Sequence, residues 1–299
     1  MRWCAAPRST AAWLALAGLA MLASLPARAL DVYTIDFNSS KSSYNRRHID
    51  HLLKAALDAT VARYGPYQLR TSPIRMERDR LLQEMRKGAL VNLSAQVTSP
   101  EWERELLAIR IPVDKGISGY RIGLIDGRYQ PEFSAVHTLA QLKAIPMGAG
   151  RQWSSTLVYS QAGFEVVQGN SSAGLHSMLA ADRFRYFPRA IDEAVFERDA
   201  NRAAFPPLAL ERSLALYFPL PRYFFLSPGA PRLAQRLEFG LGVLVADGSY
   251  DRIFHAFYDE LIEQAGLRQR RVFSIENKQL SPQTPLDNPA YWYDPFAHK

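Results

Sequence analysis

A single cysteine, Cys4, stands in 299 residues. One cysteine builds neither a disulfide framework nor a thiolate metal site. After residue 30 every apolar run is cut by a charge or a proline, so no later segment reads as a membrane span, which needs roughly 20 apolar residues. The G-x-G-x-x-G dinucleotide loop, the phosphate-cradling P-loop, the G-x-S-x-G nucleophile elbow and the H-E-x-x-H metal helix are all missing. Disorder is excluded from the other side, because 47% of the residues are hydrophobic and 11% aromatic. What remains is a globular chain long enough for two packed lobes or one large α/β domain.

The N-terminus does not share that composition. Arg2 and Arg8 precede an apolar run from Ala11 to Leu25, followed by Pro26, Ala27, Arg28 and Ala29. A basic start, a short apolar core and small residues at the cleavage positions read as an export signal cut after Ala29. The run is too short to anchor the chain in a bilayer. Removing residues 1–29 takes away Cys4 and three arginines, leaving 270 residues with 33 basic and 29 acidic groups. The net charge falls from +7 to +4. No basic run or interleaved aromatic platform accompanies that small excess, so a nucleic-acid partner is not expected.

Hydrophobic periodicity then alternates between strand and helix. Residues 30–37 (LDVYTIDF) alternate as a strand, and 38–44 form a polar loop. Ile49, Leu52, Leu53, Ala56, Leu57 and Val61 fall at helical spacing between Arg46 and Tyr64, closed by Gly65-Pro66. Residues 67–72 read as a strand, 77–87 as a helix and 89–93 as a third strand. This βαβαβ start places ligands beyond the carboxyl ends of the strands. A second unit of the same kind follows Gly116. Its strands are expected at 120–125, 144–148, 164–168 and 185–189, and its helices at 137–142, 150–162, 174–181 and 192–202. Segments 214–218 and 223–227 lead into two amphipathic helices, 231–247 and 250–264, and an irregular tail from Ser281.

Several stretches resemble solute-binding protein family 3 of the type 2 periplasmic binding proteins. They include Y-G-P-Y after the first helix, G-A-L-V-N-L-S-A-Q-V-T-S, I-R-I-P-V-D-K-G-I-S-G-Y-R, M-G-A-G-R-Q-W, S-M-L-A-A-D-R-F-R-Y-F-P-R and Y-F-P-L-P-R-Y-F-F-L-S. The resemblance runs over nearly all of the chain after the signal. It implies an α/β fold of two lobes, each a parallel-type sheet flanked by helices, joined by two crossover strands. Residues 30–117 and 218–299 would form the first lobe and 118–217 the second. Such proteins close like a hinge over a small solute, commonly an amino acid, and hand it to a membrane permease or a membrane-bound sensor. A monomer without cofactor or metal, and without catalytic activity, is expected in the periplasm. An enzyme working on a small anionic substrate in the same cleft is the alternative reading.

The resemblance also implies site residues. Amino-acid binders of this family carry a Ser/Thr run after the third strand and an arginine three residues after a threonine. Here Ser94, Gln96 and Thr98 stand in that run, but the next arginine, Arg104, lies six residues beyond Thr98. Near the last strand of the second lobe, where the family has an acidic partner for an ammonium group, this chain has Arg185 and Arg189, followed by Asp192 and Glu193. From the residues themselves, the segment from Gly148 to Ser155 is a candidate anion cradle. Backbone N–H groups at a helix start carry partial positive charge, and Gly150 admits close approach. Arg151 and Arg189 can each fork onto two oxygens, with Arg121 a further cleft candidate. Tyr44, Tyr120 and Trp153 are candidates to stack on a solute. Each has a plainer reading as an ion pair, a tight turn or core packing. His48 and His51 read as a solvated helix face. Together these residues point to a small solute that is anionic or amino-acid-like.

Overall fold

The computed structural model describes Met1, residues 30–36 and residues 44–297. The expected cleavage site at Ala29, most of the loop at 38–44 and the Tyr44 side chain lie outside the described residues.

The chain first lays down β1 (Asp31–Ile35), α1 (Tyr44–Asp58), the single turn α2 (Val61–Tyr64), β2 (Tyr67–Thr71), α3 (Arg78–Lys87), β3 (Leu93–Val97), α4 (Pro100–Glu105) and β4 (Leu107–Ile109). There follow β5 (Tyr120–Asp126), α5 (Gln130–Ser134), α6 (Leu139–Lys143), β6 (Met147–Gly150), α7 (Ser154–Gln161), β7 (Val166–Gly169), α8 (Ser172–Ala180), β8 (Phe187–Ala190), α9 (Ile191–Asn201), β9 (Leu208–Leu210) and β10 (Leu214–Tyr217). The last elements are β11 (Arg222–Leu226), α10 (Pro231–Ala246), α11 (Ser249–Gln264) and β12 (Arg271–Ser274).

Two sheets organise them. The first has the order β2-β1-β3-β11-β4, with β1 parallel to β2 and β3, and β11 antiparallel to both its neighbours. The second runs β12-β10-β5-β8, with β9 also on β5, and β6 and β7 form a parallel pair tied to it at Met147 and Tyr186. β5 is antiparallel to β8, β9 and β10. The antiparallel strands β5 and β11 are the ones by which the chain enters each sheet after a crossover, at 110–119 and at 218–221. The fold is therefore α/β and two-lobed, with one reversed strand in each otherwise parallel-type design.

Periodicity explains the layers. Leu52, Leu53, Ala56 and Leu57 of α1 and Leu237 and Leu241 of α10 are buried against Tyr33, Leu93 and Phe224 of the first sheet. Each fully buried leucine contributes roughly 1.5–3 kcal/mol. The helix expected to run through Tyr64 breaks after Asp58, where Thr60 Oγ1 donates to the Leu57 carbonyl at 2.6 Å and a new turn begins. The strand expected at 89–93 instead starts at Leu93. Asn92 is used as a side-chain bridge, donating to Val32 O at 2.9 Å and accepting from Thr34 N at 2.8 Å. β4, β9 and β12 were not foreseen. β12 also departs from the expected lobe assignment, because Arg271–Ser274 pairs with Leu214–Tyr217 in the second sheet rather than joining the first.

The irregular tail crosses the hinge. Tyr293 N donates to Lys115 O at 2.8 Å, Lys115 Nζ donates to Ala290 O at 2.8 Å, and Tyr120 Oη donates to Tyr293 O at 3.2 Å. Just before the tail, Asn277 Nδ2 donates to Pro219 O at 2.9 Å, so the segment from Asn277 to Tyr293 touches both crossovers. Gly116 has φ +66°, and a Cβ there would meet the Trp292 ring at 2.5 Å, so glycine is required twice over.

Candidate functional site

A cavity of about 340 Å³ opens between the lobes. The first lobe contributes Thr98, Ser99 and Pro100 from the turn between β3 and α4; the second contributes Arg151, Gln152, Trp153, Ser154 and Thr156 around the start of α7, and Gln168 of β7. Leu220 of the second crossover and Asn277, Gln279 and Leu280 of the tail close it. Most of these side chains are hydroxyls or amides. Among the described residues lining the cavity, Arg151 is the one charged side chain.

Local structure fixes this wall. Arg151 N donates to Gly169 O at 2.9 Å, continuing the β6/β7 ladder by one bond, while the Arg151 side chain is exposed. Thr156 Oγ1 donates back to Gly150 O at 2.7 Å and pins the strand-to-helix turn. A Cβ on Gly150 would lie 2.3 Å from Cε2 of Trp153, so the glycine serves Trp153 packing. On the first lobe, Ser99 accepts from Trp102 N at 3.4 Å and caps α4, and Thr98 Oγ1 donates to Glu103 Oε1 at 2.5 Å. Glu103 in turn accepts from Arg110 Nη2 at 2.8 Å.

Of the side chains expected to hold a solute, Thr98, Arg151 and Trp153 come together here. The others sit elsewhere. Arg104 is exposed on α4, pairs with Glu105 at 3.1 Å and does not line this cavity. Ser94 is buried and donates to Asp36 Oδ1 at 2.7 Å, while Gln96 donates to Ser94 at 3.0 Å and accepts from Arg78 at 3.2 Å. Tyr120 is buried against Tyr217, with ring centroids 4.3 Å apart, in hinge packing. Arg189 is 6% exposed and reaches no solvent-facing wall. Its Nε and Nη2 donate to the two oxygens of Glu197 at 2.8 and 2.6 Å, Glu193 lies 3.0 Å away, and its guanidinium lies 4.2 Å from the centre of the Trp153 ring. Burial acts to lower its pKa, but Glu193 and Glu197 outweigh that and raise it. Arg121 is buried beside Phe218, 3.8 Å from Glu193.

Two further buried titratable groups have strongly shifted pKa values. Asp192, at the start of α9, is pushed up to about 7, chiefly by burial and then by the Glu193 charge, against the pull of Arg222 and Arg121. His48 is not on a solvated face. It packs edge-on to Tyr258 at 5.0 Å and Phe257 at 5.4 Å, and burial, helped by His51 and Arg222, lowers its pKa to about 3. No group of three His, Cys, Asp or Glu side chains that could hold a metal occurs among the described residues.

No family model and no curated protein matches the sequence. Solved structures do match the shape. An ancestral arginine-binding protein bound to arginine superposes with a TM-score of 0.51 at 14% identity, over 76% of this chain and 98% of that one. A histidine kinase sensor domain with similarity to periplasmic binding proteins gives 0.51 at 15%, over 77% and 96%. An ancestral amino acid-binding protein, a precursor of cyclohexadienyl dehydratase, gives 0.51 at 11%, over 76% and 95%. The chain has the type 2 periplasmic binding protein fold.

The cavity lies between Thr98 of the first sheet's side and Arg151 of the second. Ser99, Gln152, Thr156 and Gln168 line it without having been expected from the sequence, and Asn277 and Gln279 reach it from the tail. Ser99 carried a sequence signal, an S-P-E-W cap beside the expected Thr98. Asn277 and Gln279 carried none, because their contacts reach 58 residues back to Pro219 and 118 back to Gln161. No helix among the described residues is long and apolar enough to cross a membrane.

Proposed function

We propose that this chain is an exported binding protein that captures a small anionic solute between its lobes and presents the closed form to a membrane permease or sensor. The observation that carries the reading is the interlobe cavity in which, among the described residues, Arg151 is the one charged lining side chain, surrounded by hydroxyl and amide groups. A guanidinium that is not already committed to a protein carboxylate offers a solute oxyanion two parallel hydrogen bonds. Arg189, neutralised by Glu193 and Glu197, serves instead to hold Trp153 in the cavity wall. A solute touching both Thr98 to Pro100 and Arg151 to Thr156 favours the closed arrangement, because only that state supplies both walls.

Binding without turnover fits a lining that, among the described residues, has no carboxylate, histidine or cysteine to move a proton. Thermal-shift screening of residues 30–299 against amino acids, dicarboxylates, phosphorylated compounds and peptidoglycan fragments tests the proposal. Carboxylated or phosphorylated compounds raise the melting temperature, and Arg151→Gln removes the effect. A shift caused by neutral or cationic compounds alone would overturn it.

A further inference from the structure

Six of the polar side chains lining the interlobe cavity are already engaged within the protein. Thr98 donates to Glu103, Thr156 to Gly150 O and Ser160 to Thr156 O, while Ser99 caps α4. Asn277 donates to Pro219 O and accepts from Gln279 N, and Gln279 Nε2 donates to Gln161 at 3.2 Å. The polar side chains left to a solute, among the described residues, are Arg151, Gln152, Ser154 and Gln168. All four belong to one wall, since Gln168 of β7 lies opposite Ala149 of β6, two residues before Arg151.

The rest of the lining is carbon. Pro100 comes from the first lobe, Trp153 and Leu157 from the second, Leu220 from the crossover and Leu280 from the tail. Leu157 is the informative one. The buried face of α7 is Ser155, Thr156, Val158 and Tyr159, whereas Ser154, Leu157 and Ser160, spaced i, i+3, i+6, line the cavity. Leu157 is 48% exposed and stands outside the core that Val158 and Tyr159 join. One such leucine means little, but five apolar side chains converging on a concave surface mark a ligand site. An ammonium group finds no counter-charge there. Glu103 is held by Thr98 and Arg110, Glu193 lies 3.0 Å from Arg189, and Asp192 sits in the field of Arg222 and Arg121. None of these three carboxylates lines the cavity, and desolvating a cation without a partner is unfavourable.

We propose that the solute is a monocarboxylic acid with an apolar body and no ammonium group, an aryl- or branched-alkyl-substituted acid whose carboxylate meets Arg151 and whose body is bordered by Trp153, Leu157, Leu220 and Leu280. The inference rests on the capture reading above and narrows it to one class of substrate. It departs from the amino acids that the family resemblance implies. A cavity of about 340 Å³ falls within the span of small-molecule sites, about 300–1,000 Å³.

Isothermal titration of residues 30–299 with hydrocinnamate, propionate, phenylalanine and hydrocinnamyl alcohol tests it. Hydrocinnamate and propionate share the carboxylate and differ in the apolar body, while phenylalanine is hydrocinnamate with an ammonium group added. Hydrocinnamate binds about tenfold or more tightly than either, the scale of burying an apolar group, and the alcohol binds more weakly than the acid. Leu157→Gln removes most of the advantage over propionate and leaves propionate itself unchanged, whereas Arg151→Gln weakens both acids. Circular dichroism checks folding, which an exposed position on α7 tolerates. Hydrocinnamate that binds no better than propionate or phenylalanine, that keeps its affinity in Leu157→Gln, or that does not bind at millimolar concentration would overturn the inference. The capture reading would then stand on whichever other anions stabilise the wild type but not Arg151→Gln. Alcohol binding as tight as that of hydrocinnamate and untouched by Arg151→Gln would overturn both.

Discussion

The guanidinium carbon of Arg189 lies 4.2 Å from the centre of the Trp153 ring, and both carboxylate oxygens of Glu197 accept from the same guanidinium. A charge that sequence alone offers to a ligand is thereby spent on shape: Arg189 is the support on which a wall of the cavity rests. Phe187 completes the stack, its ring 12° from parallel with Trp153 at 6.1 Å.

Replacing Arg189 by Gln leaves the partly buried Glu197 with only His176 at 3.3 Å, and Glu193 with only Arg121 at 3.8 Å. Breaking a buried pair by removing one partner costs about 3–5 kcal/mol, so the melting temperature falls by many degrees and Trp153 fluorescence shifts toward that of an exposed indole. An unchanged melting temperature would show that the stack is ornamental to stability.

Gly150→Ala tests the other contact of the same ring. The new Cβ meets Trp153 Cε2 at 2.3 Å, and because the obstacle is a packed ring the tryptophan must move. Overpacking of this kind costs about 1–3 kcal/mol. The variant keeps its circular dichroism and loses solute-induced stabilisation. Retained binding would mean that Trp153 does not shape the cavity.

The hinge offers a third test. Gly116→Ala places a side chain at φ +66° and 2.5 Å from Trp292 Cε3. The tail is expected to lift from Lys115, seen as faster proteolysis within 284–297 and a red-shifted Trp292 emission. Wild-type proteolysis rates would contradict the bracing described for the tail.

Two buried groups give opposing pH dependences. Asp192 titrates near 7 when folded against about 3.9 for an exposed aspartate, so its stabilising effect is complete below pH 4 and is lost as the pH rises through 7. His48, lowered to about 3 from the ordinary 6.5, contributes fully above pH 6.5 and loses its contribution as the pH falls toward 3. Between pH 4 and 6.5 the two slopes oppose each other. Urea unfolding across that window is therefore nearly pH-independent in the wild type. In Asp192→Asn stability rises with pH, and in His48→Gln it falls. The same slope in all three proteins would refute both assignments.

Local pattern made much of this fold legible. The apolar spacing of Ile49 to Leu57 and the amphipathic pattern of 231–247 and 250–264 encode helices that need no distant partner to be recognised. Short strands fared worse where pairing alone defines them. Leu93–Val97 is a strand because β11 lies against it, with Leu226 opposite Leu93, and Arg271–Ser274 because Leu214–Tyr217 does. The site was legible only in part for a related reason. Sequence identifies arginines but not their counter-charges, and a carboxylate eight residues along α9 decides that Arg189 is structural while Arg151 stays available.

Lobe closure on an anionic solute is the central claim, and a spin-label distance across the lobes tests it most directly. Residues 30–299 contain no cysteine, so Arg80→Cys on α3 and His137→Cys before α6 give a unique pair, both on exposed positions. With a saturating carboxylated or phosphorylated compound found by the thermal-shift screen, the interlabel distance shortens and its distribution narrows, and Arg151→Gln abolishes the change. A distribution that stays the same while the solute is bound would contradict capture by closure.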